Sequence, residues 1–159
     1  MQGNKKLSLF ISYSHKDEHH IDEFNKHIFP LINDKLIDIW HDRKIVPGQK
    51  LQDKIDINLE NASIVCLFIS ADFLASSACL KEQRIALKLI TEKGIVVVPI
   101  ILSKCGWLDD ANLPSLLALP TDGKAVEDHD RRNDAWHNIY KGLKLIIDQE
   151  TKIKQPEFV

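Results

Sequence analysis

From Leu7 to Tyr13 the chain runs through Leu, Phe and Ile before small polar residues, Ser12 and Ser14, interrupt it, the pattern of a buried strand. His15–Glu18 then makes a charged helix start, and Ile21, Phe24 and Ile28 recur at helical spacing as far as Pro30. Leu36–Trp40 is a second short strand, followed by the polar connection His41–Lys50 with its Pro47-Gly48 turn pair. Leu51, Ile55 and Leu59 stand at i, i+4 and i+8 and predict a helix that stops at Asn61. Ser63–Ile69 is apolar on both faces, as a central parallel strand under helices should be. After the loop Ser70–Ser77, a helix is predicted over Ser77–Lys93, closed by Gly94, and Ile95–Leu102 forms the longest strand. The pattern loosens over Ser103–Val126, which contains Trp107 and two prolines, and a short fifth strand is expected near Leu116–Leu119. Trp136, Ile139, Leu143 and Ile146 give Asp130–Asp148 an apolar helical stripe, and 149–159 reads as a polar tail or a linker to a second domain.

Strands alternating with helices imply an α/β domain with a parallel sheet covered on both faces, which binds ligands at the carboxyl ends of its strands. The loops there begin at Ser12, His41, Ser70 and Ser103, and none contains Gly-x-Gly-x-x-Gly or Gly-Lys-Ser/Thr, which argues against a dinucleotide-binding dehydrogenase or a P-loop NTPase. A chain of 159 residues has room for one core. Its 21 basic and 23 acidic side chains leave a net charge of −2, without the basic surplus that nucleic-acid binding needs. The apolar runs Ile64–Ile69 and Ile95–Leu102 are too short to span a bilayer, and the start lacks the apolar core of a secretion signal. A cytoplasmic protein with no membrane contact is expected. Cys66, Cys79 and Cys105 are too dispersed for a zinc ribbon or a redox pair, and Cys66 reads as a small buried hydrophobe.

Three segments carry candidate chemistry: Phe10-Ile11-Ser12-Tyr13-Ser14, then Asp42-Arg43-x-x-x-Pro47-Gly48, then Ser70-x-x-Phe73-Leu74-x-Ser76-x-x-Cys79-x-x-Glu82. With Trp136 in the last helix, they resemble the Toll/interleukin-1 receptor (TIR) domain family over Leu7–Ile147, so that residues 1–148 form the domain. The resemblance implies a flavodoxin-like sheet of five parallel strands in the order 2-1-3-4-5. It also implies one of two activities, homotypic assembly in signalling or cleavage of the nicotinamide–ribose bond of NAD⁺. In the second, Glu82 takes the catalytic place, and Ser12, Tyr13, Ser14, Asp42, Arg43, Phe73, Ser76 and Cys79 are the substrate-binding positions. Ile45, Val46, Pro47 and Gly48 match the mobile loop that gates the site and makes assembly contacts. NAD⁺ is then a substrate, with no cofactor and no metal. Other TIR domains and a fused or associated sensor domain are the expected partners, in a prokaryotic antiviral effector. The alternatives from the same resemblance are a non-catalytic adaptor and a cyclase that makes a cyclic ADP-ribose signal.

The chemistry is coherent on its own terms. Nicotinamide leaves a cationic N-glycoside as a neutral molecule, so its departure needs no proton and one carboxylate can suffice where an O-glycosidase uses two. That carboxylate would stabilise positive charge developing on the ribose, while backbone N–H groups at helix starts would meet the diphosphate. A plainer account of Glu82 is that an acid early in a helix is favoured by the macrodipole. Arg43 suits a phosphate or an ordinary surface ion pair, and Phe73 suits a loop anchor as well as a ligand contact. Enzymatic members often carry Trp four residues before the glutamate, and Ala78 stands there in this chain. Trp40, Tyr13, Phe73, Trp107 or an adjoining copy must then supply the stacking surface. His15-x-x-Glu18-His19 formally matches an inverted zinc-peptidase motif, but at a strand-to-helix junction it reads as a solvated helix start.

Overall fold

The computed structural model describes residues 6–40 and 57–154, with side chains to residue 152. Its elements are β1 (Leu7–Ser12), α1 (Glu18–Asn33), β2 (Ile37–Trp40), β3 (Ile64–Ile69), α2 (Ala71–Leu74), α3 (Ser77–Lys93), β4 (Val96–Ile101) and α4 (Arg132–Lys154). All strand pairings are parallel, in the order β2-β1-β3-β4. β3 is buried at all six positions, as a strand covered on both faces must be.

Alternate side chains of the strands feed two separate cores. Leu9 and Ile11 of β1 and Cys66 and Phe68 of β3 meet α1 and α4 on one face. Phe10, Val65, Leu67 and Ile69 meet Leu59, Phe73 and α3 on the other. On the first face Phe24 is fully buried, edge-on to Phe68 at 4.9 Å and 5.9 Å from Trp136. The Trp136 indole N–H donates to Glu23 Oε1 at 2.8 Å, and Arg132 donates to both oxygens of the same carboxylate. Those donors, Arg132 first, hold the Glu23 carboxyl down at about 2.

The helix predicted over Ser77–Lys93 is present at those bounds. Ser76 caps it, and Gly94 ends it in the left-handed conformation at φ 68°, which glycine adopts without a Cβ penalty. Three segments depart from expectation. α1 continues past Pro30 to Asn33, and α4 continues through Lys154 into the segment read as a tail. The expected fifth strand at Leu116–Leu119 is reduced to one parallel bridge between Ile100 and Leu119, leaving four strands among the described residues. A 3₁₀ turn at Leu113–Ser115 uses the approach to this segment, and Pro120 has no N–H with which to continue the ladder.

Candidate functional site

The carboxyl ends of β1 and β2 and the first turns of α3 enclose a cavity of about 520 Å³, lined among others by Tyr13, Trp40, Ala78, Cys79 and Glu82. This volume falls within the range of small-molecule sites. Ser12, the last residue of β1, is 1% exposed, and its hydroxyl donates to Glu82 Oε1 at 2.5 Å. Glu82 is half-buried and stands six positions after the cap Ser76, in the second turn of α3, whose first turn has no acidic residue. The dipole effect fades within one turn, so helix-start electrostatics do not account for this side chain. The strand end holds the carboxylate instead.

The cavity also has aromatic lining. Trp40, half-buried at the end of β2, stacks on Phe10 with ring centroids 5.3 Å apart and planes 14° from parallel. Tyr13 also lines the cavity, 5.8 Å from the His15 ring. Of the four side chains considered as substitutes for a tryptophan at 78, Trp40 and Tyr13 line the cavity. Phe73 does not: it is 0% exposed, packed in the core under α2, so its role is that of an anchor and the substrate-contact reading is corrected. Trp107 packs against the same core.

Ser14 and Ser76 line the cavity while capping adjacent turns, Ser14 Oγ accepting from the Lys16 amide at 3.3 Å and Ser76 Oγ from the Cys79 amide at 3.2 Å. Cys79 is 3% exposed and lines the cavity. Ser70, which caps α2, accepts from the Phe73 amide at 3.1 Å and donates to Asp17 Oδ2 at 2.5 Å, tying the β3–α2 turn to the β1–α1 connection. Lys16 and Lys81 stand at the cavity as cations that the sequence reading did not single out, because exposed lysines near helix starts carry no distinguishing pattern. Asp42, Arg43, Ile45, Val46, Pro47 and Gly48 lie outside the described residues.

The TIR domain family model matches residues 9–138. The chain belongs to the TIR domain family. This TIR domain is 34% identical over 146 residues to the uncharacterised protein y4lF of Sinorhizobium fredii, covering 91% of this chain and 45% of that protein. The chain therefore spans about half the length of this curated relative. Among solved structures it is similar to the TIR domain of the Toll-related receptor TRR-2 of Hydra magnipapillata (TM-score 0.57, 21% identity, 86% of this chain and 97% of that one). It is also similar to the TIR domains of the activated Roq1 resistosome that recognises the effector XopQ (TM-score 0.51, 13% identity, 92% and 81%). At these identities the structural likenesses establish the fold. No helix among the described residues is long and apolar enough to cross a membrane.

Proposed function

We propose that this TIR domain is an NAD⁺ nucleosidase that cleaves the nicotinamide–ribose bond, with Glu82 as its catalytic carboxylate. The observation that carries this reading is that Glu82, held by the buried Ser12 hydroxyl, lines a cavity that Trp40 also lines. The glycosidic C–N bond breaks with its electron pair going to the neutral nicotinamide, and Glu82 stabilises the ribosyl cation. Water adds at the anomeric carbon and releases a proton, giving ADP-ribose. Ser12 keeps the carboxylate in one orientation, so its alignment is set before substrate arrives. Trp40 or Tyr13 would offer a stacking face for a flat base, and Lys16 and Lys81, which line the cavity, would supply positive charge for the diphosphate.

The proposed setting is the cytoplasm of a prokaryote, with the domain serving as an antiviral effector whose sensor lies elsewhere in a longer or associated protein. Head-to-tail contacts with other TIR domains through Ile45–Gly48 would gate the activity. Nicotinamide release from NAD⁺ at high protein concentration, with a crowding agent, tests the reading. Glu82→Ala should abolish release. Ser12→Ala should lower it about 10- to 150-fold, the equivalent of losing a charge-assisted hydrogen bond of roughly 1.5–3 kcal/mol. The mass of the ribosyl product separates hydrolysis from cyclisation. A wild-type protein that assembles by light scattering yet releases no nicotinamide would refute the enzyme and leave an adaptor.

A further inference from the structure

Lys16 and Asp72 both line the cavity that holds Glu82, and Lys16 Nζ lies 3.9 Å from Asp72 Oδ1. Their side chains are 79% and 47% exposed, so water reaches both charges. An exposed ion pair of this length is weak, because solvent competes for each charge and two long side chains must be held in one geometry. The backbone beneath the pair is firmly placed. Lys16 lies in the 3₁₀ turn His15–Asp17, whose cap Ser14 accepts from the Lys16 amide at 3.3 Å. The next residue, Asp17, is 7% exposed and accepts at 2.5 Å from the hydroxyl of Ser70, the cap of α2. Asp72 is the second residue of that helix. One buried hydrogen bond therefore fixes the two chain segments that carry Lys16 and Asp72, while the charged ends stand in solvent and can exchange partners.

We propose that Asp72 is an internal competitor for Lys16, a counter-ion that a phosphate-bearing ligand has to displace, and that it thereby limits the affinity of the cavity for such ligands. The inference rests on the reading that the cavity takes a dinucleotide, and it adds the residue that sets how readily the cavity loads. A lysine meets a phosphate as a point charge. With Asp72 beside it, Lys16 gains from a phosphate only the difference between two anionic partners. The displaced carboxylate is then left as a like charge next to the incoming one, which is unfavourable in its own right. Both contributions act between exposed groups, so added salt screens them.

Isothermal titration of the chain with ADP-ribose at low ionic strength tests the inference through binding alone. Asp72→Asn is expected to tighten binding about two- to fivefold, the scale of one exposed ion pair, and Lys16→Gln to weaken it. Asp72→Ser, a second neutral replacement, should give the same gain, which separates the charge from the size of the side chain. In the Lys16→Gln background the gain from Asp72→Asn should fall to less than half, because the cation competed for is gone. Raising the salt concentration should shrink the gain as well. Glu92→Gln removes the acid of the exposed Lys88–Glu92 pair on α3, outside the cavity lining, with the same change in net charge, and should leave affinity unchanged. Wild-type affinity in both Asp72 variants, an undiminished gain without Lys16, an equal gain in Glu92→Gln, or no ADP-ribose binding by any variant would each overturn the proposal. Nicotinamide release is measured separately. A chain that shows the binding pattern without release loses only the nucleosidase reading, and one that releases nicotinamide without the pattern loses only this proposal.

Discussion

Ser70→Ala is the substitution with the most legible consequence for the framework of the site. The Ser70 hydroxyl caps α2 through the Phe73 amide at 3.1 Å and donates to the buried Asp17 carboxylate at 2.5 Å. Removing a serine cap costs about 1 kcal/mol. Removing a donor to a carboxylate costs roughly 1.5–3 kcal/mol more, and at 7% exposure Asp17 has little water available to replace it. The total is about 3 kcal/mol, which for a chain of this length corresponds to a fall in Tm of roughly 6–12 °C. Ser76→Ala is the matched reference, since Ser76 caps α3 by the same geometry through the Cys79 amide at 3.2 Å, and it should cost only about 1 kcal/mol. Urea unfolding of both variants, at constant m-value, measures the difference. If Ser70→Ala costs within about 0.5 kcal/mol of Ser76→Ala, the estimate for the bond to Asp17 is wrong, because charge-assisted hydrogen bonds are worth more than that.

Phe24→Ala empties a fully buried position between Phe68 and Trp136 and should cost about 3–5 kcal/mol by the same unfolding assay; a loss below about 1 kcal/mol would contradict the packing of that core. Glu23 titrates at about 2 rather than its ordinary 4.5, chiefly because Arg132 donates to it. A carboxyl with a lowered folded-state value adds stability that is complete above about 4.5 and fades as pH falls toward 2. The stability advantage of the wild type over Glu23→Gln should therefore shrink across that window in pH-dependent thermal scans, and an advantage constant from pH 5 to pH 2 would refute the linkage.

The features legible in the sequence are those written locally. The α3 boundaries follow from a serine cap at one end and Gly94 at the other, and the central position of β3 follows from six consecutive apolar side chains. The fifth strand is not legible because an apolar run between Pro114 and Pro120 satisfies the hydrophobic criterion while its backbone makes only one bridge. The site was legible as a set of strand-end loops, whereas its internal connections were not. Ser12 and Glu82 are 70 residues apart, and only the folded chain shows that one holds the other. Phe73 has the same composition signal whether it faces a ligand or the core, and the packing of α2 decides for the core. His19 is spaced four residues from His15 in sequence, yet the groups near it in space are His20 and Glu127.

The two short hydroxyl–carboxylate bonds cross the boundary between the β1 and β3 halves of the sheet in opposite senses. The β1 segment supplies the hydroxyl of Ser12 to α3, and the connection after it supplies the carboxylate of Asp17 to the hydroxyl at the end of β3. Separating the two halves therefore has to break two hydrogen bonds to carboxylates and not one. The His15–Asp17 turn is thus joined through Asp17 to the base of α2, while the strand end just before it holds Glu82 at the cavity.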